Sequence, residues 1–131
     1  MTWREDLAWA AGIIDGEGCF DTSPNYGVGH KRETPRIIAR LTVGQGSRTG
    51  EPQMLTRFHD LFGGAVSRPY VRKDRPDATP MYFWTVGSFH KVQAVLAMTW
   101  PWLGDVKRKQ AASVLARATP PSRPHWGSRS H

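Results

Sequence analysis

The sequence predicts an α+β fold in which one four-stranded antiparallel sheet is backed by helices. Apolar residues recur at helical spacing near the N-terminus, alternate along several later segments, and return to helical spacing near the C-terminus. The alternating segments arrive as two consecutive pairs, which favours two hairpins and an antiparallel sheet. The predicted order of elements is therefore α-β-β-α-β-β-α-α.

The first helix is predicted over residues 4–16. Leu7, Ala10, Ala11 and Ile14 recur there at intervals of three and four, as on a buried helix face. Thr2 or Asp6 is a suitable N-cap, and glycines at 16 and 18 end the helix. Three further helices are predicted over residues 52–62, 90–98 and 106–118.

The strands are predicted over residues 19–26, 36–45, 65–73 and 81–86. The second is the clearest, because its apolar positions (Ile37, Ala39, Leu41 and Val43) alternate with Arg36, Ile38, Arg40 and Thr42. One of its faces is therefore apolar and the other polar and basic. Alternation in the third strand predicts a shared face for Arg68, Tyr70 and Arg72. We expect residues 1–119 to form one domain and residues 120–131 to form a flexible basic tail.

The charge of the chain is positive and unevenly distributed. The net charge is +7 and the pI is about 10.2. Acidic residues dominate residues 1–30, and basic residues dominate the remainder. A basic body of this kind is expected of a protein that binds a polyanion, although a merely soluble basic surface would give the same totals.

Several classes of protein are disfavoured by composition. The single cysteine, Cys19, allows no intrachain disulfide, and the five scattered histidines give no zinc-binding spacing. No apolar run approaches the length of a membrane span, and the N-terminus is too acidic for a secretory or mitochondrial signal. We expect an intracellular protein, in the cytoplasm, nucleoid or an organellar matrix, without a membrane partner or small-molecule cofactor.

The first helix carries a stripe of small residues that favours close helix packing. Ala8, Gly12 and Gly16 fall at intervals of four, so another backbone could approach this face closely. Because the chain has one such segment, the available partner is the same helix of a second copy. Glu17 then follows the helix C-terminus, where the helix dipole disfavours an anion unless a cation is near.

Residues 10–18, Ala-Ala-Gly-Ile-Ile-Asp-Gly-Glu-Gly, resemble the LAGLIDADG signature of homing endonucleases. The resemblance implies the LAGLIDADG homing-endonuclease fold and a homodimer that cuts both strands of a long, pseudo-palindromic double-stranded DNA site. It also implies a mobile genetic element, such as an intron, as the context of the gene. Magnesium is the implied cofactor, with manganese as an alternative, held by the Glu17 side chain and the Gly16 carbonyl.

Two other residues align with catalytic positions of the family. Gln45 ends the clearest strand and would position a water molecule, while Lys107 opens the last helix and would offset charge in the transition state. Arg108 and Lys109 are alternatives to Lys107, and a solvated loop amide is the alternative for Gln45.

The polar face of the sheet is the expected DNA-binding surface, since a pair of antiparallel strands fits the major groove. Its expected base-contacting residues are Asp21, Ser23, Asn25, Arg36, Arg40, Thr42, Arg68, Tyr70 and Arg72. Tyr82 and Trp84 would extend this face, unless they are packing residues. Lys31, Arg32, Arg48 and Lys73 are expected in loops that contact phosphates. Each arginine alone could equally be a solvated charge.

Three other functions are alternatives to the endonuclease. A catalytically inactive DNA-binding relative would share the fold, but the acidic Glu17 argues against it. An RNA-binding intron maturase is a second possibility, to which the basic tail could contribute. Nucleotide binding through the loop at residues 44–50 is disfavoured, because that loop lacks the Gly-Lys-Ser/Thr ending of a phosphate-binding loop.

Overall fold

The computed structural model describes residues 2–120 and has the α+β architecture that the sequence predicts. The helices are α1 (Trp3–Glu17), α2 (Gln53–Phe62), α3 (Phe89–Thr99) and α4 (Asp105–Arg117), and the strands are β1 (Gly18–Asn25), β2 (Arg36–Gly46), β3 (Ala65–Val66) and β4 (Met81–Val86). Short 3₁₀ turns cover Val28–His30 and Trp100–Trp102. Most of the predicted basic tail, residues 121–131, lies outside the described residues.

The four strands form one antiparallel sheet in the order β1-β2-β4-β3. The prediction of two hairpins is confirmed, with β2 and β4 adjacent at the centre. The register places Asp21 of β1 opposite Arg40 of β2, and Thr42 of β2 opposite Thr85 of β4. The register decides which side chains share a face, because neighbouring partners on adjacent strands point to the same side.

One face of the sheet packs against the helices. Ala39, Leu41 and Val43 of β2 are fully buried and alternate with partly exposed residues, as the sequence predicts. Trp84 of β4, the register partner of Val43, is also fully buried. Its indole Nε1 donates to the Gly63 carbonyl at 2.8 Å, so its polar group has a partner inside the core.

The prediction that Tyr82 and Trp84 extend the outward face is therefore wrong. Tyr82 pairs with Gln45 and Trp84 with Val43. Both of these β2 residues belong to the alternate positions that lie on the core-facing side of the strand. The outward residues of β4 are instead Met81, Phe83 and Thr85, whose partners are Gly46, Gly44 and Thr42.

The prediction of a continuous third strand over residues 65–73 is also wrong. Pairing is regular only for Ala65–Val66, and a single bridge then joins Tyr70 to Met81. Ser67 N–H still donates to the Phe83 carbonyl at 2.8 Å, so residues 68 and 69 both lie opposite residue 82. This is a bulge, and Pro69, which has no N–H to donate, lies within it.

The bulge changes which side chains share a face. Tyr70 lies on the outward side of the sheet, because it bridges to Met81. Arg68 lies within the bulge and no longer shares that side with Tyr70. Arg72 lies beyond the paired segment, where its guanidinium forms a 2.7 Å ion pair with Asp74. The predicted shared face for Arg68, Tyr70 and Arg72 is not formed.

Helix α1 is fixed to its neighbours along most of its length. The Thr2 hydroxyl caps its N-terminus by accepting the Glu5 N–H at 3.2 Å. Asp6 forms a 2.6 Å ion pair with Arg57 of α2, and that guanidinium also lies 3.9 Å from the centre of the Trp9 ring.

No helix within residues 2–120 is long and apolar enough to span a bilayer.

Candidate active site and nucleic-acid interface

The turn from α1 into β1 presents Glu17 at the molecular surface. Glu17 is the last residue of α1 and is exposed, and Gly18 begins β1 directly. A Cβ at position 18 would lie 2.8 Å from the Ile14 carbonyl oxygen and 2.9 Å from its Cα. Only glycine fits here, because the strand leaves the helix so closely. The abrupt turn fixes the position of the Glu17 backbone.

Lys107 lies beside this turn. Its Nζ donates to the Gly18 carbonyl oxygen at 2.6 Å, across 89 residues of sequence, and lies 3.4 Å from Gln110 Oε1. The first turn of α4 is thus held against the junction between α1 and β1. An ammonium group is thus placed next to the residue that follows Glu17.

The neighbouring basic residues of α4 have different surroundings. Arg108 donates through Nε and Nη2 to the Trp100 carbonyl at 3.2 and 2.7 Å, and its guanidinium lies 4.8 Å from the centre of the Trp100 ring. Lys109 is exposed. Of these three residues, Lys107 is the one that contacts the Glu17 turn.

Gln45 is exposed near the end of β2. The register pairs Gly18 with Val43, so Gln45 lies two residues further along the same strand, toward the end where α1 meets the sheet. Glu17, Lys107 and Gln45 therefore come from three separate elements and approach the same end of the sheet.

Asp15 joins this group in a role that sequence reasoning missed. Its two carboxylate oxygens accept the Gly104 N–H at 3.0 and 3.1 Å, and Gly104 is the N-cap residue of α4. The carboxylate thus satisfies a backbone donor at the start of the helix that carries Lys107. Residues 15 and 104 are 89 positions apart, so no local pattern in the sequence indicates this contact.

The oxygen donors near this turn suit a hard divalent cation. Glu17 offers a carboxylate, and Gly16 belongs to the last turn of α1, whose carbonyls lack donors within the helix. Among residues 2–120, no three His, Cys, Asp or Glu side chains cluster so as to hold a metal ion. The donors at this turn are therefore one carboxylate and backbone carbonyl oxygens.

The small-residue stripe of α1 is open. A Cβ built on Gly12 or on Gly16 meets no atom within 4 Å, and both residues are exposed. Ala8 is partly exposed on the same stripe. The helix buries Leu7, Ala10, Ala11 and Ile14 on its other side, so this stripe is left available for a partner.

The outward face of the sheet carries an ion pair between its first two strands. Arg40 donates through Nε and Nη2 to the two carboxylate oxygens of Asp21 at 2.9 and 2.8 Å. This hydrogen bond raises the pKa of Arg40 above its ordinary value, against an opposing effect of burial. Arg40 is therefore a permanently charged group that is already oriented, rather than a free arginine.

The other predicted DNA-contacting residues occupy the same face or the loops beside it. Ser23, Asn25, Arg36 and Thr42 share the parity of Asp21 and Arg40. Asn25 Oδ1 accepts the Gly27 N–H at 2.8 Å, and Arg36 donates to the Pro120 carbonyl at 3.3 Å. Among the loop residues, Lys31, Arg32, Arg48 and Lys73 are all exposed.

Several solved structures with a similar architecture are homing endonucleases. The homing endonuclease I-CvuI, in complex with its target in the presence of Ca, superimposes with a TM-score of 0.66 at 25% identity over 86% of this chain. I-TnaI gives 0.62 at 18% identity over 82% of this chain and 67% of its own. The I-LtrWI LAGLIDADG homing endonuclease, bound to target DNA, gives 0.58 at 20% identity over 82% of this chain and 35% of its own.

The chain has the LAGLIDADG homing-endonuclease fold. It spans 65% of the length of I-CvuI. No protein-family model and no curated protein sequence matches it.

Within the LAGLIDADG fold, the segment that resembles the signature contributes both to the open stripe of α1 and to the turn into β1. Residues 10–16 form the last turns of α1, with Gly12 and Gly16 on the open stripe, and Glu17 and Gly18 form the turn into β1. The predicted residues Glu17, Gln45 and Lys107 are brought to one end of the sheet. Arg68 and Arg72 are not brought onto the outward face with Arg40, and Met81 and Phe83 occupy positions there that were not predicted.

Proposed function

We propose that this protein is a site-specific DNA endonuclease that acts as a homodimer and requires a divalent metal ion. The observation that carries the proposal is the contact of Lys107 with the Gly18 carbonyl, which holds an ammonium group against the backbone turn that carries the exposed Glu17, at one end of an uncovered sheet face. A metal-binding carboxylate and a cation beside a surface for nucleic acid form a combination suited to phosphodiester hydrolysis.

Double-stranded DNA is the proposed partner for the outward face. The face belongs to antiparallel strands, which fit the major groove, and it carries hydrogen-bonding and cationic side chains at a period of two residues. Exposed basic residues flank it at positions 31, 32, 48 and 73, where contacts to phosphates would fix the register of the protein on the duplex. The net charge of +7 favours the encounter with a polyanion.

Glu17 and the Gly16 carbonyl are the proposed ligands of the metal, with Mg²⁺ as the preferred ion and Mn²⁺ as a substitute. Both are hard oxygen donors, as these ions require. When bound, the metal would polarise the scissile phosphate and lower the pKa of an attacking water molecule. Gln45 would orient the water by hydrogen bonding, and the Lys107 ammonium would stabilise negative charge that develops on the phosphate.

The open stripe of α1 supports the proposed homodimer. Ala8, Gly12 and Gly16 would pack against the same residues of a second chain about a two-fold axis. The Glu17 carboxylates of the two chains would then approach each other, and the metal would offset their repulsion. Two sites related by the axis would cut opposite strands of a pseudo-palindromic target.

The proposal is tested by selecting cleaved molecules from a randomised DNA library in the presence of Mg²⁺. The parent chain is compared with Glu17→Gln and with Asp60→Asn, a matched control that removes an exposed carboxylate from α2. We expect the parent and the control to yield one consensus site, and Glu17→Gln to bind that site without cutting it. EDTA should abolish cleavage by the parent.

Three results would contradict the proposal in different ways. Undiminished cleavage by Glu17→Gln would remove the assigned metal ligand. Selective binding without cleavage, in Mg²⁺ and in Mn²⁺, would indicate an inactive DNA-binding relative. Preferential binding to structured RNA would instead favour the maturase.

A further inference from the structure

The end of the outward sheet face that lies nearest Glu17 is apolar. Phe83 and Met81 of β4 are the register partners of Gly44 and Gly46 of β2. A Cβ on Gly44 would lie 2.9 Å from Phe83 Cε1, 3.0 Å from its Cδ1 and 3.5 Å from Met81 Cε. A Cβ on Gly46 would lie 3.1 Å from the Thr79 methyl carbon Cγ2 and 3.4 Å from Met81 Sδ. The two side chains therefore lie across the glycines, directly on the backbone of β2.

The two glycines make this arrangement possible. Without side chains at 44 and 46, the strand leaves room that the phenyl ring and the thioether fill, as an aromatic residue covers a cross-strand glycine. The ring is held against the sheet and remains partly exposed. Thr42 and Thr85, which are paired with each other, continue this uncharged surface toward β1.

The middle of the same face has different chemistry. The Asp21–Arg40 ion pair lies there, and Arg40 is four residues before Gly44 on β2. At about 3.3 Å per residue, the charged and apolar regions are about 13 Å apart. One surface thus offers apolar groups at the end where α1 meets the sheet and charged hydrogen-bonding groups at its middle.

We propose that Phe83 and Met81 determine specificity by contacting the C5-methyl group of a pyrimidine in the major groove, at the base pairs nearest the cut. This inference rests on the proposed function and adds a class of target sequence to it. Thymine is the unmodified base that carries a methyl group on its major-groove edge, and apolar side chains contact it favourably. The C4 amino group of unmodified cytosine would instead lose water against the phenyl ring without gaining a partner.

The test uses synthetic duplexes built on the selected target. Each thymine at the inner positions is replaced singly by deoxyuridine, which removes only the methyl group. Each inner cytosine is replaced by 5-methylcytosine, which adds one. Equilibrium binding is measured with the Glu17→Gln variant, and cleavage is measured with the parent chain. The readout then does not depend on catalysis alone.

We expect a thymine preference at one or two inner positions and a loss of about fourfold in affinity when deoxyuridine replaces that thymine, as for the burial of one methyl group. If 5-methylcytosine restores binding at the same position, then the methyl group is the recognised feature. If it does not, while thymine still exceeds deoxyuridine, the adjoining O4 is also read.

Variants of the sheet assign the effect to the proposed residues. Phe83→Ala should bring the ratio of thymine to deoxyuridine affinity close to one, and Phe83→Leu should keep part of it. Ile38→Ala is the matched control, because Ile38 has the same outward parity but pairs with Ser23 at the distant end. It should leave the inner ratio unchanged.

The failures of the two proposals are distinguishable. Equal affinity of the parent surface for thymine and deoxyuridine at every inner position, or a selected guanine or unmodified cytosine opposite Phe83, would overturn this inference and leave the endonuclease intact. Absence of selective DNA binding would overturn both. A preference that survives Phe83→Ala and Met81→Ala would place the methyl contact elsewhere.

Discussion

The carboxylate of Asp15 accepts the backbone N–H of Gly104, with both oxygens at 3.0–3.1 Å. This contact joins the last turn of α1 to the start of α4. One helical turn further along α4, Lys107 donates to the Gly18 carbonyl. The Asp15 carboxylate thus joins the helix that carries Glu17 to the helix that carries Lys107.

Replacing Asp15 should lower stability at the junction between α1 and α4. Asp15→Ala leaves the Gly104 N–H without its acceptor, and loss of this hydrogen bond should reduce the free energy of unfolding by about 0.5–1.5 kcal/mol. Asp15→Asn keeps an oxygen acceptor and should lose less. Urea unfolding of the two variants, beside the exposed control Asp60→Asn, measures the difference. Equal stability of all three variants would contradict a capping role.

Replacing Lys107 should affect cleavage more than binding. Lys107→Met removes one cation that we place against developing charge, so the cleavage rate should fall about a hundredfold, as for loss of one preorganised donor. DNA affinity should fall only modestly. Single-turnover cleavage and equilibrium binding on the same duplex separate the two effects.

Lys109→Met is the control for Lys107, since it removes the same charge from an exposed position of the same helix. It should change the salt dependence of binding slightly and leave the single-turnover rate nearly unaltered. If both variants lose cleavage equally, the effect of Lys107 is one of general charge and the assigned role is wrong.

The parts of the fold that sequence predicted are those set by local periodicity. The buried stripe of α1 and the two faces of β2 depend only on residues within one element, and both are confirmed. The face of Trp84 depends instead on its register with Val43, and an aromatic strand has no clear polar alternation from which to read it. The bulge at Pro69 likewise depends on how β3 meets β4.

The candidate site divides in the same way. Glu17 could be identified from a nine-residue segment, because its spacing and neighbours are local. The contacts of Asp15 with Gly104 and of Lys107 with Gly18 each span 89 residues, so only the folded chain reveals them. The pairing of Asp21 with Arg40 required the hairpin register in addition to the alternation of each strand.

Substitution of Gly12 should separate folding from self-association. Because a Cβ at this position meets no atom within 4 Å in the single chain, Gly12→Leu should fold, and its higher helix propensity should stabilise the monomer by up to about 1 kcal/mol. The leucine would occupy the space proposed for the partner helix. We therefore expect the variant to sediment as one chain of 14.7 kDa and the parent as two.

The control for Gly12→Leu is Ala116→Leu, which enlarges an exposed residue of α4 away from the stripe. This variant should remain dimeric and active. A dimeric Gly12→Leu, or a parent that is monomeric at concentrations where it cleaves DNA, would contradict the α1 interface.

The Asp21–Arg40 pair should control base preference without contributing much stability. Both side chains are about two-fifths exposed (40% and 41%), so the pair is expected to add less than about 1 kcal/mol to the free energy of unfolding. Arg40→Ala should instead relax selection at one outer base pair by about 1–3 kcal/mol. Asp21→Asn should broaden preference at that same pair, because it weakens the contact that orients the guanidinium.

The pH dependence of this preference has a definite sign. The pKa of Arg40 is raised by its hydrogen bond with Asp21, so the stabilisation from this arginine is fully present below the ordinary arginine value and is lost only when the pH rises through the still higher value in the folded protein. Base preference at the outer pair should therefore not decline through deprotonation of Arg40 between about pH 6 and about pH 9. Selection of cleaved sites at both ends of this range measures it for the parent, Arg40→Ala and Asp21→Asn. If Asp21→Asn matches the parent while Arg40→Ala loses preference, Arg40 reads the base without needing its partner, and the orienting role of Asp21 is wrong.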